Sequence, residues 1–359
     1  MEGSPVYEKL SIESKIKKYD VEFLNEDLSI NRLIERLNVS DSLNNVIFVV
    51  DDFLNGLINT YGHKTIFITS SETTKSYRGV EGVIGELLDF GITKDTHLVA
   101  IGGGIVQDVV SFSASILFRG IEWSYVPTTL LSQGDSCIGS KTSINFESYK
   151  NQIGNFYPPE KVFIYPEFEK SLSTTEILSG MGEMLHYFLV SGEDDLKFFM
   201  DNMNNESKID IVKRSLMIKK KFIEIDEFDK KERKLLNYGH SFGHAIESMM
   251  DYTIPHGIAV AYGMDVANFI SMRLGFLSEL DYIRYNKTLR DIYKLYPIKS
   301  IDSNLIASFL AKDKKNTSTH YGFILTKKAG DMFVHMINKN QDMRNVIDEW
   351  FYSIEKDKL

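Results

Sequence analysis

Two histidines stand four residues apart within a polar stretch of the sequence. A helix turns by about 100° per residue, so a helix over residues 233–247 would gather five polar side chains within a narrow arc: Arg233, Asn237, His240, His244 and Glu247. A solvated face favours Lys and Glu, whereas this arc holds two imidazoles, an amide and a guanidinium, so we interpret it as the functional face of one helix. His240 and His244 could both bind a metal, but the H-E-x-x-H pattern is absent and zincin chemistry is not indicated.

Other residues add to the possible metal ligands. A catalytic Zn²⁺ takes three protein ligands from N and O donors and keeps one position open. The candidates are Glu183, His186, His240, His244 and His256, and their spacing alone does not choose among them. Glu183, which we expect early in a helix, also forms with His186 the E-x-x-H spacing of di-iron helices, but that site needs two such pairs and no convincing second pair is present.

A glycine-rich turn follows an apolar run in the first half of the chain. HLVAI at 97–101 leads into Gly102, Gly103 and Gly104, and IVQDVVSFSAS can then begin a helix. Glycines let a backbone approach a ligand, and a helix N-terminus presents N–H groups to phosphate. The spacing differs from G-x-G-x-x-G, so a nucleotide turn and a plain tight turn both remain open. Asp108 could hold a ribose hydroxyl or be an acid in the first helical turn.

Two kinds of pattern divide the chain. Apolar runs typical of buried parallel strands stand at 46–50, 65–69, 97–101 and 123–127, with a helix predicted over 80–90. Helical periodicity dominates after residue 171, over 176–192, 209–225 and 258–274. We therefore predict a Rossmann-like α/β domain over residues 1–168 and a mostly α-helical domain over 169–359, packed together to form a cleft.

Composition narrows the class of protein. A length of 359 residues suits two domains of about 150 residues each. With 41 Lys and Arg against 50 Asp and Glu, the net charge of −9 opposes attraction to nucleic acid or anionic lipid, so neither partner is expected. Cys137 is the single cysteine and cannot form an intrachain disulfide, and no signal peptide or membrane span is evident. We expect a cytoplasmic protein.

Several ordered blocks together resemble the 3-dehydroquinate synthases and the wider sugar phosphate cyclase family. They are GGGIVQD (102–108), RG (119–120), VPTTLLSQGDSCIGSKTSIN (126–145), KNQIGNFYPP (150–159), SGMGEMLH (179–186), ERKLLNYGHSFGHAIE (232–247), PHGIAVAYGM (255–264) and DKK (313–315). The resemblance covers residues 46 to 330. It implies an N-terminal Rossmann-like domain that binds NAD and a C-terminal helical domain that binds a divalent metal, Zn²⁺ or Co²⁺.

The resemblance also implies roles for individual positions. The metal ligands would be Glu183, His240 and His256. The NAD contacts would be Asp51, Glu72, Lys75, Gly103, Gly104, Asp108, Thr128, Thr129 and Lys150. The substrate contacts would be Asp135, Lys141, Asn151, Lys219, Arg233, Asn237, His244 and Lys314, with Arg119 reaching the phosphate from the partner subunit of a homodimer.

The implied reaction is that of a lyase in the shikimate pathway of aromatic amino acid biosynthesis. The substrate, 3-deoxy-D-arabino-heptulosonate 7-phosphate, would undergo transient NAD-dependent oxidation, phosphate elimination, re-reduction and intramolecular aldol closure to 3-dehydroquinate. Lys219 and Arg233 offer donors matched to its carboxylate. Lys219 also begins the run Lys219 to Lys221, which would be solvated if it were merely a surface charge run.

Departures from the family pattern leave other substrates open. His186 stands where the synthases have a lysine that touches a substrate hydroxyl, and Gln107, Ser140 and Phe53 also differ from the usual residues. The alternative is therefore a cyclase acting on another acidic or amino sugar phosphate in a secondary pathway. A more remote alternative is an oxidoreductase like the iron-dependent alcohol and glycerol dehydrogenases, whose substrates are not phosphate esters and need no such cationic cluster.

Overall fold

The computed structural model describes residues 8–24, 46–60, 62–147, 149–311, 316–339 and 343–356. The chain divides into two compact units. The first runs to Leu172 and also includes Lys220–Phe228, whereas the second comprises Ser173–Lys219 and the chain from Asp229 onward. The grouping of residues 220–228 with the first unit was not predicted.

A seven-stranded sheet forms the centre of the first unit. Its strands are β1 (Glu8–Ile12), β2 (Tyr19–Phe23), β3 (Val46–Asp51), β4 (Thr65–Ile68), β5 (His97–Gly102), β6 (Glu122–Pro127) and β9 (Lys161–Ile164), in the order β1-β2-β9-β6-β5-β3-β4. β1 is antiparallel to β2, and all other neighbours are parallel. The predicted buried strands are thus confirmed, and side chains such as Phe48, Val99 and Val126 form their core.

Two helices of the first unit flank the strands that carry the glycine-rich turn. α1 (Tyr77–Asp89) begins where Ser76 accepts a hydrogen bond from Gly79 N–H, and it buries Val80, Val83 and Leu87. This confirms the predicted helix over 80–90. α2 (Gly104–Ile116) follows β5 directly, with Gly103 as its N-cap. The chain therefore passes from strand to helix through the glycines.

A two-stranded hairpin was not predicted. β7 (Lys141–Phe146) and β8 (Tyr149–Phe156) pair antiparallel, with a shift of register between Ile144 and Phe146. Both strands are polar, and β8 is largely exposed, so neither has the continuous apolar run by which the other strands were recognised.

The second unit is mostly helical, as predicted. Its helices are α3 (Thr174–Ser191), α4 (Glu193–Asn202), α5 (Ile209–Ile225, whose last residues group with the first unit), α6 (His240–Met249), α7 (His256–Arg273), α8 (Glu279–Tyr293), α9 (Ser303–Leu310) and α10 (Met343–Lys356). A hairpin of β10 (His320–Lys328) and β11 (Asp331–Asn338) completes it. None of the described helices is both long and apolar enough to cross a bilayer.

A buried polar network anchors α7 within this unit. Asp265 is fully buried and accepts hydrogen bonds from Asn286 Nδ2, from Tyr293 Oη at 2.9 Å and from Trp350 Nε1 at 3.1 Å. Burial raises the pKa of Asp265, and these three donors offset only part of that effect. Because the donors lie on α8 and α10, the network fixes the helix whose first residue is His256.

Candidate functional site

Glu183, His240 and His256 converge in the helical unit, and we call these three residues the ligand cluster. Glu183 Oε1 lies 3.4 Å from His240 Nε2, and Glu183 Oε2 lies 3.5 Å from His256 Nε2. One ligand atom from each residue falls within 4.8 Å of the others. A carboxylate between two imidazoles supplies the three N and O donors that a divalent metal such as zinc or cobalt accepts.

Glycines bring two of these residues together. A Cβ on Gly182, next to Glu183, would lie 2.2 Å from Gly257 O, and a Cβ on Gly257, next to His256, would lie 1.8 Å from Ser179 O. No real Cβ comes that close, so α3 and α7 touch backbone to backbone only because both positions lack a side chain. Glu183 consequently faces His256 from the middle of α3, and the expectation that it lies early in its helix is wrong.

The prediction of one helix over 233–247 is also wrong. Residues Glu232–Asn237 form a short 3₁₀ helix, Tyr238 is not helical and Gly239 has a left-handed φ of 79°, so α6 begins only at His240. A Cβ on Gly263 of α7 would lie 2.0 Å from Gly239 O. The break therefore lets α7 pack against the turn, and His240 points to Glu183 instead of continuing the arc from Arg233.

Outer hydrogen bonds orient both imidazoles. His240 Nδ1 lies 3.2 Å from Tyr238 O, and His256 Nδ1 lies 3.1 Å from Glu247 Oε2. With Nδ1–H as the donor in each ring, both Nε2 atoms keep their lone pairs on the side of Glu183. Metal-binding histidines are usually held in this way, by a carbonyl or a carboxylate on the second nitrogen.

The state of Glu183 also fits a bound cation. Its side chain is 5% exposed, and among the described residues its Oε2 accepts no hydrogen bond. Burial by itself would raise the pKa of Glu183, but the positive charge that His240, His186 and His256 carry when protonated lowers it below its ordinary value, and a bound cation would act in the same direction. A buried, ionised carboxylate oxygen with no donor suits metal ligation.

His186 and His244 lie beside the ligand cluster. His186 is 1% exposed, and its Nδ1 lies 3.8 Å from Glu183 Oε1. His244 is exposed, and its ring stacks 5.4 Å from that of His256. A second possible ligand group joins His244, Glu247 and His256, but there the Nδ1 of His256 already contacts the Glu247 carboxylate.

In the first unit, candidate residues gather at the carboxyl ends of neighbouring parallel strands, which we call the strand-end edge. Asp51 ends β3, Gly102 ends β5 and is followed by Gly103 and Gly104, and Thr128 follows β6. β3 lies between β4 and β5, so the strand order reverses there. Open α/β sheets bind ligands at such a switch point, outside the carboxyl ends of the strands.

Two of the three glycines, Gly102 and Gly103, serve close packing and not unusual backbone angles. A Cβ on Gly102 would lie 2.4 Å from Val106 Cγ2, and a Cβ on Gly103 would lie 3.0 Å from Thr129 Cγ2. Nothing blocks Gly104 more closely than Ser136 Oγ at 3.9 Å. The N-terminus of α2 therefore begins at a turn without side chains, where its first N–H groups are accessible to an anion.

Asp108 lies in the second turn of α2, so it is not the first-turn acid that one interpretation required. Its carboxylate pairs with Lys75 Nζ at 2.6 Å and accepts a hydrogen bond from Ser143 N–H at 3.0 Å. Burial raises the pKa of Asp108, and the charge of Lys75 counteracts part of this rise. Glu72 is similarly engaged by Lys150 Nζ at 3.2 Å.

The remaining predicted site residues divide between the two units. In the first unit, Asp135 lies in the turn Ser132–Ser136, Lys141 begins β7 and Asn151 lies on β8. The backbones of Asn151 and Arg119 are left-handed, with φ values of 55° and 67°, and the Arg119 side chain is exposed. Thr129 Oγ1 forms a hydrogen bond with Ser132 Oγ. In the second unit, Lys219 and Arg233 are 6% and 4% exposed, and Asn237 Nδ2 donates to Lys234 O. Lys219 is thus buried and not part of a solvated charge run. Lys314 lies outside the described residues.

The departures from the family pattern have local structural roles. Gln107 Nε2 donates to Ser136 O and its Oε1 accepts from Ser136 Oγ, both at 2.6 Å. Ser140 has a left-handed φ of 62°, and Phe53 is 70% exposed. Glu247 was predicted only as a member of the polar arc, and the structure shows it as the partner of His256. Asn145 of β7, which contacts Glu72, was not predicted. Asn145 is the last residue of the block VPTTLLSQGDSCIGSKTSIN (126–145), and this position was the only indication in the sequence that it could be functional.

Comparisons with known proteins agree on one family. The family model described as 3-dehydroquinate synthase N-terminal matches residues 65–179, and that described as 3-dehydroquinate synthase C-terminal matches residues 180–316. The 3-dehydroquinate synthase of Clostridium tetani (strain Massachusetts / E88) is 32% identical over 355 residues, which is 97% of this chain and 94% of that protein.

Two solved structures share the fold. A 2-deoxy-scyllo-inosose synthase complexed with carbaglucose-6-phosphate, NAD⁺ and Co²⁺ superposes with a TM-score of 0.82 at 24% identity, over 95% of this chain and 100% of that chain. The 2-epi-5-epi-valiolone synthase from Streptomyces hygroscopicus subsp. jinggangensis 5008, with NAD⁺ and Zn²⁺ bound, gives a TM-score of 0.78 at 23% identity, over 94% and 97% of the two chains.

Proposed function

The chain belongs to the 3-dehydroquinate synthase family, and on that premise we propose that it converts 3-deoxy-D-arabino-heptulosonate 7-phosphate to 3-dehydroquinate and phosphate. It would thus be a sugar phosphate cyclase, a carbon–oxygen lyase that depends on NAD and a divalent metal. The observation that carries this proposal is the ligand cluster, in which a buried carboxylate and two oriented imidazoles meet within 3.5 Å.

The ligand cluster would hold Zn²⁺ or Co²⁺. When bound, the metal would supply Lewis-acid polarisation of a substrate hydroxyl, while NAD would take up a hydride and later return it. The chain's part is to keep Glu183 ionised and both imidazoles oriented. Tyr238 O orients the His240 ring, and the Glu247 carboxylate orients the His256 ring.

NAD would bind at the strand-end edge. The switch point beside β3 and the accessible N-terminus of α2 support a pyrophosphate at this place. We propose the contacts Asp51, Glu72, Lys75, Gly103, Gly104, Asp108, Thr128, Thr129 and Lys150. The Lys75–Asp108 pair would orient the Asp108 carboxylate toward a ribose hydroxyl.

The substrate's carboxylate would pair with Arg233 and Lys219. Both side chains are buried, and the planar guanidinium of Arg233 offers a pair of donors matched to a carboxylate. His244 and Asn237 would contact the phosphate from the same unit. The roles of Asp135, Lys141, Asn151, His186 and Lys314 rest on the family resemblance.

We also infer a homodimer in the cytoplasm. Phe118 and Arg119 stand at the surface with left-handed φ values of 48° and 67°, and 41% of Phe118 is exposed. Such strained backbone is often retained for a contact, in this case from one subunit to its partner. Light scattering of the purified protein would give its mass, and a monomer would contradict the inference.

Phosphate release is the direct test of the proposed function. The purified protein, loaded with zinc and NAD⁺, is given 3-deoxy-D-arabino-heptulosonate 7-phosphate, and the product is identified by mass and NMR. We expect phosphate and 3-dehydroquinate with no net change in NADH. Net NADH formation would instead indicate a dehydrogenase. If protein that binds zinc and NAD releases no phosphate, other acidic or amino sugar phosphates should be tested as substrates.

The substrate's carboxylate can be tested separately. Arg233→Ala should reduce the stabilisation of the transition state, measured through kcat/KM, by about 3 kcal/mol or more, because a buried anion would lose its charged partner. Lys234→Ala is the matched control, since Lys234 follows in the same short helix and is exposed. An effect of Arg233→Ala below about twofold would mean that no carboxylate binds there.

A further inference from the structure

Asn145 stands at an irregularity of the β7–β8 hairpin. Ile144 pairs with Ile153 and Phe146 with Tyr149, so the register shifts at the residue between them. Residues 150–152 of β8 stand opposite Asn145 alone, so the extra residues lie on β8 and the register gives Asn145 no paired residue there. Asn145 is 8% exposed, and a buried amide needs hydrogen-bond partners within the protein.

The groups of Asn145 join two separate sets of residues. Outside the hairpin, its N–H donates to Lys75 O at 2.9 Å, and its Nδ2 donates to Glu72 Oε2 at 2.7 Å and to Glu72 O at 3.3 Å. Within the hairpin, its Oδ1 accepts from Asn151 N–H at 3.0 Å. One side-chain amide therefore links Glu72 to the backbone of β8.

Both ends of this link carry proposed ligand contacts. Glu72 and Lys75 are proposed to contact NAD, whereas Asn151 is proposed to contact the substrate. Lys150 beside it pairs with Glu72 at 3.2 Å and is itself a proposed NAD contact. Asn151 has a left-handed φ of 55°. Asparagine adopts this conformation more readily than other residues with a side chain, and the hydrogen bond from its N–H to Asn145 Oδ1 holds it in place.

We propose that Asn145 is a positioning residue through which NAD bound at Glu72 and Lys75 orders the strand that carries Lys150 and Asn151. This inference rests on the proposed function. A ligand that fixes the Glu72 carboxylate also fixes the acceptor of the Asn145 amide, and the amide in turn holds Asn151 N–H. By linkage, any ligand that orders β8 must equally strengthen NAD binding.

Hydrogen exchange measured by mass spectrometry on the full-length, zinc-loaded protein tests this link. Saturating NAD⁺ should slow exchange in peptides covering Tyr149–Phe156 by about tenfold in the wild type and by less than about twofold in Asn145→Ala. Asn155→Ala is the matched control. Its amide lies on the same hairpin but bonds Ser115 Oγ and Thr142 Oγ1, so the variant should respond to NAD⁺ like the wild type.

A donor–acceptor exchange separates positioning from general loss of structure. Asn145→Asp places a carboxylate against Glu72 and should abolish the NAD⁺ response, whereas Asn145→Asp/Glu72→Gln restores a donor and an acceptor and should recover most of it at saturating NAD⁺. The inference is overturned by an unresponsive wild type, by a normal response in Asn145→Ala, or by an equal loss in Asn155→Ala.

Parallel measurement of phosphate release distinguishes this inference from the proposed function. Release of phosphate together with an exchange response that does not require Asn145 would refute only the positioning role. An Asn145-dependent response in wild-type protein that releases no phosphate would support the positioning role and refute the proposed substrate.

Discussion

The ligand cluster and the strand-end edge are held in place by different forces. At the ligand cluster, backbone meets backbone at Gly182 and Gly257, where an added Cβ would approach a carbonyl oxygen to 2.2 and 1.8 Å. At the strand-end edge, only the turn itself is closely packed, at Gly102 and Gly103. The proposed NAD contacts beside it are held by polar pairs such as Lys75 and Asp108 at 2.6 Å, whose side chains are 13% and 18% exposed.

This difference predicts how each site responds to substitution. A site defined by close packing has no room for an added atom, so a methyl group there should disturb both the fold and the ligand geometry. A site defined by partly hydrated polar pairs tolerates isosteric changes, which should weaken ligand binding and leave the fold intact. Substitutions at either site can therefore strengthen or contradict the contrast.

Removal of a metal ligand should have the largest effect. His256→Ala is expected to lose stoichiometric zinc and to lower kcat/KM by about a thousandfold or more, because the Lewis acid contributes several kcal/mol to the transition state. Metal analysis and steady-state kinetics measure both effects, with circular dichroism as the check on folding. One equivalent of zinc in the folded variant would remove His256 from the ligand cluster.

A methyl group at the helix crossing should come next. Gly257→Ala is expected to lower the free energy of unfolding by about 3 kcal/mol and to reduce metal content, because the backbone of α3 blocks the added Cβ. In α1, the space around Gly85 is open, so Gly85→Ala should stabilise the protein by about 1 kcal/mol. Chemical denaturation compares the two, and similar stabilities would contradict a packing-defined site.

Loss of an outer hydrogen bond at the same cluster should be milder. Glu247→Gln keeps the shape of the side chain but replaces the carboxylate that contacts His256 Nδ1. Metal affinity should fall about 10- to 100-fold, measured by competition with a chelator, while unfolding by denaturant changes little. Unchanged affinity would show that His256 is oriented without Glu247.

The smallest effect is expected at the strand-end edge. Asp108→Asn retains an acceptor for Ser143 N–H but loses the charge that pairs with Lys75, so the Kd for NAD⁺ should rise about tenfold with full metal content. Asp52→Asn serves as the control because Asp52 is exposed and bonds Thr69 Oγ1. Calorimetric titration measures both. Loss of metal or of folding in Asp108→Asn would contradict the conclusion that the two sites are held in place by different forces.

Local periodicity predicted much of the fold. Continuous apolar runs identified β3, β4, β5 and β6, and helical spacing identified α1, α3, α5 and α7. The β7–β8 hairpin was missed because its polar strands are stabilised by partners far along the chain, such as Asp108 for Ser143. The break at Gly239 was missed because periodicity continues across it, while the reason for the break lies on α7.

By itself, the sequence determined which chemical groups this protein possesses: a glutamate and several histidines able to bind a metal, and a turn without side chains after a buried strand. Spacing could not select three ligands from five candidates, since Glu183 and His256 are far apart in the chain, and the selection came only from the family resemblance. Tertiary structure alone brings Glu183, His240 and His256 within 3.5 Å contacts. The physical reason is that glycines at the helix crossings allow the backbones to touch, and where helices cross is a non-local property that no single segment encodes.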